Sequence, residues 1–268
     1  IRDNGNAGFY EGKTADDLVS EMNRGNGIIT KEDLKSYSAI WRKPTVGFYK
    51  GYKIISMPPP SSGGIALLQL LKSIEPYPIA EWGWNSKQTI HVMIEAERRV
   101  YADRAAYLGD PDFFNVPVEM LTDSIYIASR MQTFDMNKVT PSTSIKEGSL
   151  VGESDQTTHL SIIDREGNAV SVTTTLNGGY GSMVIVDGSG FFLNNEMDDF
   201  SAKPGTPNMY GVIGGEANKI IPQKRMLSSM TPTIVERDGK LLMVVGTPGG
   251  STIITSVFQT ILNVLEHN

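Results

Sequence analysis

The segment at 155–175 constrains the fold of this chain most, because a turn sequence separates two short apolar runs. Residues 160–164 and 169–175 have the composition of β-strands. The sequence Arg-Glu-Gly-Asn at 165–168 contains two residue types that tolerate positive φ. We therefore predict a β-hairpin in this part of the chain.

Two adjacent threonines, Thr157 and Thr158, lie at the open end of this predicted hairpin, directly after Gln156. A threonine hydroxyl becomes an effective nucleophile when a base lies beside it. A free α-amino group on the same residue, with a pKa of about 7.7–8.0, can be that base. Because threonine is also common in β-strands, the residues alone leave two interpretations open. Thr157 is either an ordinary strand residue or an N-terminal nucleophile released by self-cleavage at Gln156–Thr157.

Several further motifs follow in a defined order. They are Thr-Thr-His-Leu-Ser at 157–161, Asn177, Leu-Asn-Asn-Glu-Met-Asp-Asp-Phe-Ser at 193–201, Leu-Ser-Ser-Met-Thr-Pro at 227–232 and Gly-Thr-Pro-Gly-Gly-Ser at 246–251. Together they resemble the γ-glutamyltranspeptidases, which are N-terminal-nucleophile hydrolases. The resemblance runs from about residue 3 to the end of the chain, and it favours Thr157 as a nucleophile.

The resemblance implies catalytic roles for four residues. Thr157 is the nucleophile, and Thr175 hydrogen-bonds to its hydroxyl. The backbone N–H groups of Gly249 and Gly250 form the oxyanion hole. From the residues alone, this glycine pair is equally a simple turn before a helix.

The resemblance also implies a substrate site. Asn177, Glu196 and Asp199 bind the α-ammonium of a γ-glutamyl group, although on sequence alone the two acids are more simply surface carboxylates. The remaining implied contacts are Ser228 and Ser229, which bind the α-carboxylate, and Tyr210, which lies in a lid loop at 203–217. The family's carboxylate-binding arginine is expected in a part of the large subunit that precedes this chain.

The implied activity is γ-glutamyl transfer or hydrolysis through a γ-glutamyl-threonyl ester. The implied substrates are glutathione and other γ-glutamyl amides, and the acceptors are water, amino acids or dipeptides. No cofactor and no metal are implied. The alternatives are a cephalosporin-type acylase or a poly-γ-glutamate hydrolase of the same fold, or an unprocessed and inactive fragment.

The implied fold is α+β, the four-layer αββα sandwich of the N-terminal-nucleophile hydrolases, incomplete because an N-terminal segment is absent. We expect residues 1–156 to be the C-terminal part of the large subunit, with a polar, mobile segment at 133–153 before the cleavage point. Residues 157–268 would be the small subunit. The two parts form one structural domain and stay paired after cleavage. The family implies a periplasmic or extracellular location.

Composition excludes several other classes of function. The 268 residues include no cysteine, so disulfides, thiolate catalysis and cysteine-based zinc sites are excluded. The three histidines, at 91, 159 and 267, have no metal-ligand spacing. A net charge of -6 argues against a nucleic-acid-binding surface. The sequence has no apolar run of the length that a transmembrane helix needs.

Hydrophobic periodicity and turn residues predict the other elements. In the long helix at 86–107 the charged residues are interpreted as a solvated or salt-bridged face. The Pro-Pro-Pro-Ser-Ser-Gly-Gly run at 58–64 is assigned a structural role as a rigid connection. The predicted helices are 13–24 with Thr14 as its cap, a short helix capped by Thr30, 65–74, 86–107, one or two at 116–131, and a last one capped by Ser251 and ending at 265; the predicted strands are 44–49, 52–57, 190–195, 231–236 and 241–246.

Overall fold

The computed structural model describes residues 1–141, 144–145, 157–203, 206 and 215–267. Two compact units divide the chain: residues 1–42 with 176–195, and residues 43–175 with 196–268. The predicted division into two subunits at the Gln156–Thr157 bond stays a prediction.

The first unit contains three helices, all from the N-terminal segment: α1 (Ala7–Tyr10), α2 (Gly12–Arg24) and α3 (Lys31–Ser36). The capping box predicted at Thr30 is confirmed, since its side chain accepts from the Asp33 N–H while the Asp33 carboxylate accepts from the Thr30 N–H. The prediction of Thr14 as the cap of α2 is wrong. The helix begins two residues earlier, and the Thr14 hydroxyl donates to the carbonyl of Gly8.

Residues 176–195 contribute loops to the first unit's apolar cluster. Val186 is fully buried and packs with Leu18 and Leu34. The predicted strand at 190–195 is wrong, because among the described residues this segment forms one isolated bridge, between Ile185 and Phe192. The chain turns sharply through glycines 188 and 190 at positive φ, so few residues are left to pair.

The second unit contains the described strands. In chain order they are β1 (Thr45–Tyr49), β2 (Tyr52–Ser56), β3 (Thr157–Ile163), β4 (Ala169–Thr175), β5 (Thr233–Arg237) and β6 (Lys240–Val245). β1, β2, β5 and β6 form an antiparallel sheet in that order, and β3 pairs with β4. The predicted hairpins are therefore confirmed.

Residues with positive φ explain why these hairpins turn where they do. Lys50 and Gly51 have φ of 44° and 87°, and Asp238 and Gly239 have φ of 52° and 72°. Positive φ at both central residues is the type I′ geometry, whose twist matches that of the strands it joins. In the β3–β4 loop Gly167 takes φ of 85°.

The described part of the second unit also contains helices. They are α4 (Gly63–Ile74), α5 (Ile79–Trp82), α6 (Lys87–Tyr107), α7 (Val118–Thr122), α8 (Ser124–Met131) and α9 (Thr252–His267). The predicted helices at 65–74 and 116–131 and the long helix capped by Ser86 are confirmed. The prediction that Ser251 caps α9 is wrong. Its hydroxyl is buried without a hydrogen-bond partner in the described part of the chain, and the Thr252 hydroxyl contacts the carbonyl of Gly249 instead.

The core of this unit is built around α4, which is apolar on nearly all sides. Leu67, Leu70 and Leu71 are completely buried, and α4 packs against β1, β2, α6 and α9. Burying one such side chain stabilises the fold by about 1.5–3 kcal/mol. Gly47 lets β1 approach α4, because a Cβ there would lie 2.7 Å from Leu68 Cδ2.

The charged residues of α6 depart from the prediction of a solvated face. Glu95, Arg99, Asp103 and Arg104 are buried, because α4 and α8 pack against this helix. Glu95, Arg99 and Asp103 form salt bridges, as the other interpretation of this face predicted. Arg99 Nη1 lies 2.7 Å from Glu95 Oε2, and Arg130 Nη2 lies 3.1 Å from Asp103 Oδ1. Among the described helices none has the length and apolar character needed to cross a membrane.

Candidate active site

Thr157 and Thr175 lie directly opposite each other at the open end of the β3–β4 hairpin. The Thr157 hydroxyl donates to the Thr175 hydroxyl oxygen at 3.5 Å, which is a long hydrogen bond. Both side chains are only half-buried. The register of the hairpin therefore brings the predicted nucleophile and its predicted partner together.

One face of the hairpin packs against β5 and β6. Ser171 connects them, because its hydroxyl donates to the Val245 carbonyl at 3.1 Å and accepts from the Thr233 N–H at 3.1 Å. The His159 imidazole lies against Gly246, where any Cβ would overlap the ring. His159 is two residues from Thr157, and Gly246 is three residues from Gly249. The strand of the predicted nucleophile thus touches the loop of the predicted oxyanion hole.

The two glycines of that loop have backbone geometry suited to presenting N–H groups. Gly249 and Gly250 take φ of 134° and 55°, in the region that favours glycine. Their carbonyls accept hydrogen bonds from Thr252 and Ile253 at the start of α9. Within the described ranges neither of their N–H groups donates a hydrogen bond. Two adjacent donors before a 16-residue helix are able to stabilise an oxyanion.

Ser228 and Ser229 are held by the loop before α4. The Ser228 carbonyl accepts from the Ser62 N–H at 2.8 Å, and the Ser228 N–H donates to the Pro60 carbonyl at 3.1 Å. Both serines are half-buried. The Ser229 hydroxyl oxygen accepts from Arg104 Nη2 at 3.0 Å.

Glu196 and Asp199 lie at the two ends of a short 3-10 helix, Glu196–Asp199. Burial, together with the like charge of Asp199, raises the pKa of Glu196 to about 7. Burial also raises the pKa of Asp199 to about 6, while the positive charge of Arg104 acts in the opposite direction. Ionised carboxylates in such an environment gain from a nearby cation. This arrangement suits the binding of an ammonium group.

Arg104 was not predicted as a site residue, although its guanidinium contacts Ser229 and its charge acts on Asp199. A signal for it exists in the sequence. Arg104 lies four residues after Val100 and eight after Ala96, so a helix places it on the apolar face. A charged residue on such a face is buried with polar partners.

Asn177 lies in the first unit. It has φ of 68° and is nearly buried, and its side-chain Nδ2 donates to the Asn195 carbonyl at 3.2 Å. The N–H of Gly178 donates to the Asn195 side chain at 2.8 Å. Gln156 and Tyr210 lie outside the described residues.

Comparisons with known proteins agree with the motifs. The family model described as Gamma-glutamyltranspeptidase matches residues 1–268. A "Glutathione hydrolase proenzyme" from Escherichia coli (strain K12) is 50% identical over 268 residues, covering 100% of this chain and 46% of that protein. An "Acylase ACY 1 proenzyme" from Pseudomonas sp. (strain SE83) is 36% identical, covering 97% of this chain and 44% of that protein. The chain therefore spans less than half the length of these curated relatives.

Solved structures have a similar fold. A cephalosporin acylase from Bacillus halodurans superposes with a TM-score of 0.79 at 24% identity, covering 99% of this chain and 45% of that one. A γ-glutamyltranspeptidase from Helicobacter pylori superposes with a TM-score of 0.53 at 47% identity, covering 55% of this chain and 42% of that one. The fold is thus a mixed α and β fold with antiparallel sheets, shared with N-terminal-nucleophile hydrolases. On the match of the whole sequence and the identity to its relatives, this chain belongs to the γ-glutamyltranspeptidase family.

Proposed function

We propose that this chain carries the catalytic centre of a γ-glutamyltransferase and glutathione hydrolase that matures by cleaving itself before Thr157. One observation carries the proposal. The Thr157–Thr175 hydroxyl pair and the N–H groups of Gly249 and Gly250 lie on segments that contact each other through His159 and Gly246. The 50% identity to a glutathione hydrolase proenzyme supports the choice of substrate.

The maturation step uses the same hydroxyl as catalysis. Thr157 Oγ1 attacks the carbonyl carbon of Gln156, and the peptide C–N bond breaks as the acyl group moves from nitrogen to oxygen. Water then hydrolyses this ester. The products are a carboxylate on Gln156 and a free α-amine on Thr157, and that amine is the base for later turnovers.

In each turnover Thr157 Oγ1 attacks the γ-amide carbonyl of the substrate and gives its proton to the α-amine. The oxyanion that develops is stabilised by the N–H groups of Gly249 and Gly250. The leaving amine takes up the proton as the C–N bond breaks, which leaves a γ-glutamyl ester on Thr157. Water or the amine of an amino acid or dipeptide then attacks the ester and restores the hydroxyl.

The substrate's charged groups fit the rest of the site. We assign its α-ammonium to Glu196 and Asp199 and its α-carboxylate to Ser228 and Ser229, and the role of Asn177 in binding the ammonium stays a prediction. The raised pKa values of the two acids support this assignment, because an ammonium would stabilise their ionised forms. The role of Tyr210 as a lid residue stays part of the proposal.

We further propose the four-layer αββα sandwich for the complete enzyme. Helices α4 and α9, the four-stranded sheet and the β3–β4 hairpin supply three successive layers. The hairpin's other face is exposed and apolar, and a second helical layer from the large subunit would cover it. The apolar residues on this exposed face of the hairpin are Leu160, Ile162, Val170 and Val172. The two subunits would stay paired after cleavage, in a periplasmic or extracellular location.

Intact mass measurement and N-terminal sequencing test the maturation step. The full-length protein is purified and held for a day near neutral pH, alongside Thr157→Ala. We expect two fragments from the wild type, one beginning at Thr157, and a single uncut chain from the variant. A wild type that stays uncut, or a variant that cuts, would contradict the proposal.

The acylase relative at 36% identity makes a cephalosporin-type acylase the second candidate. Two chromogenic amides separate the candidates, γ-glutamyl-p-nitroanilide and glutaryl-p-nitroanilide, which differ only in the α-ammonium. A γ-glutamyltransferase with Glu196 and Asp199 as ammonium ligands prefers the first. A preference for the glutaryl amide would favour the acylase.

A further inference from the structure

Arg104 occupies a buried position directly behind the predicted carboxylate-binding serines. It projects from α6, and 5% of its surface is exposed. Its Nε donates to the Ser62 hydroxyl at 2.9 Å, and its Nη2 donates to the Ser229 hydroxyl at 3.0 Å. One guanidinium therefore joins two segments that are far apart in sequence.

The Pro-Pro-Pro-Ser-Ser-Gly-Gly loop at 58–64 supports the same serine pair. The Ser62 hydroxyl donates to the Ser228 carbonyl at 2.7 Å, and the Ser61 hydroxyl donates to the Met230 carbonyl at 2.7 Å. Gly63 permits this approach, since a Cβ there would overlap the backbone of Met230. The loop thus does more than connect a strand to a helix, because it fixes the backbone on both sides of Ser229.

These contacts determine where the serine hydroxyl protons point. The Ser229 oxygen accepts from Arg104, so its own proton is directed away from the guanidinium. The Ser228 hydroxyl oxygen accepts from the Met230 N–H at 3.0 Å, so the Ser228 hydroxyl proton is directed away from that N–H. Both serine residues are half-buried, so part of their surface is open to solvent. Each therefore has a proton to donate to an anion.

We infer that Arg104 is a positioning residue that orients Ser229, with Ser62 as its support, so that the site selects acyl groups carrying an α-carboxylate. This inference rests on the proposed function. The guanidinium acts on the substrate site through its hydrogen bond to the Ser229 hydroxyl.

A pair of substrates tests this inference in the full-length protein. γ-Glutamyl-p-nitroanilide carries the α-carboxylate, and 4-aminobutyryl-p-nitroanilide lacks only that group. For Arg104→Met we expect KM for the γ-glutamyl amide to rise about tenfold, the size of one lost charged hydrogen bond, with kcat changed less. For the 4-aminobutyryl amide kcat/KM should stay nearly constant, so the ratio between the substrates falls.

Arg99→Met is the matched control, because Arg99 is also a buried arginine of α6 but binds Glu95, Thr133 and Thr140. It should reduce the yield of folded enzyme without changing the substrate ratio. If Arg104→Met does not fold, Ser62→Ala and Arg104→Lys take its place, and both should lower the ratio. A ratio that stays at the wild-type value in the folded variants would overturn the inference.

A double-mutant cycle asks whether Arg104 acts through Ser229. We expect Arg104→Met to have little further effect on the ratio in a Ser229→Ala background, because the contact it supports is already lost. Additive effects would overturn the inference. A wild type that does not cleave the γ-glutamyl amide would instead overturn the proposed function, and the inference would fall with it.

Discussion

The hydroxyl pair of Thr157 and Thr175 is the proposed chemical centre of the site. In the proposed mechanism Thr157 gives its proton to the α-amine, and the Thr175 hydroxyl can then donate to the charge that develops on Thr157 Oγ1. The contact of 3.5 Å leaves room for this bond to shorten. Its contribution should therefore appear in the transition state more than in substrate binding.

Replacing Thr175 by valine tests this contribution while keeping the shape of the side chain. We expect kcat for a γ-glutamyl anilide to fall about tenfold with little change in KM, because one hydrogen bond to the nucleophile is lost. Thr174→Val is the matched control, since Thr174 lies on the exposed face of the same strand. Equal losses in the two variants would argue against a role for Thr175.

We expect the acids at 196 and 199 to make substrate selection depend on pH. Their folded-state pKa values of about 7 and about 6 mean that both ionise near neutral pH. The ratio of kcat/KM for γ-glutamyl over glutaryl anilide should therefore rise as pH increases from about 5 to about 8, because ionised carboxylates attract the ammonium. Glu196→Gln should flatten this rise. A ratio that is independent of pH would contradict the assignment.

The raised pKa values of Glu196 and Asp199 also make the stability of the fold depend on pH, but stability falls as pH rises, whereas the substrate preference increases. Both pKa values are raised above 4.5 and 3.8, the ordinary values for Glu196 and Asp199. Between about pH 4 and about pH 7 the folded state therefore binds more protons than the unfolded state, and the free energy of unfolding falls as pH rises. A γ-glutamyl ligand should offset part of this loss, since its ammonium stabilises the ionised acids.

At the scale of elements, the contact between β3 and the loop before α9 brings two parts of the site together. Gly246 lies against His159, and the absence of a side chain at 246 allows this contact. Burial lowers the pKa of His159, which favours the neutral ring that donates to and accepts from Thr173 and Ser161. The ring is therefore a fixed spacer between hairpin and loop.

Gly246→Ala should push the two elements apart. We expect a loss of about 1–3 kcal/mol in the free energy of unfolding, as for other overpacked sites, and a lower kcat because the N–H groups of Gly249 and Gly250 are displaced. Urea unfolding and steady-state kinetics measure the two effects. Gly25→Ala is the control, because its Cβ would make an ordinary contact at 3.5 Å. A Gly246→Ala variant as stable and active as wild type would contradict this account.

Local patterns predicted the hairpins, because positive-φ residues and alternation fix a turn and its flanking strands over a few residues. The helix at 86–107 was also predicted from a local pattern, the helical spacing of its apolar residues. The burial of Arg99 and Arg104 was not, because it depends on α4 and α8, which lie elsewhere in the sequence. The strand at 190–195 was overpredicted, since its isolated bridge to Ile185 does not extend into a sheet.

At the scale of the whole molecule, the site depends on a core that lies on one side of the sheet. Leu70 of α4 is completely buried in it. Leu70→Ala should lower the free energy of unfolding by about 2–5 kcal/mol, through lost burial and a residual cavity. Leu242→Ala is the control, because Leu242 is 45% exposed and should change stability little. Thermal unfolding of both variants checks this, and equal effects would contradict the position of the core.

In the proposed function Thr157 forms the covalent intermediate. The most direct measurement mixes the full-length, processed enzyme with a γ-glutamyl anilide, quenches it in acid within the first turnovers, and maps the modified peptide by mass spectrometry. We expect one γ-glutamyl group on Thr157 at the N-terminus of its fragment. A γ-glutamyl group on another residue, with Thr157 unmodified, would contradict it.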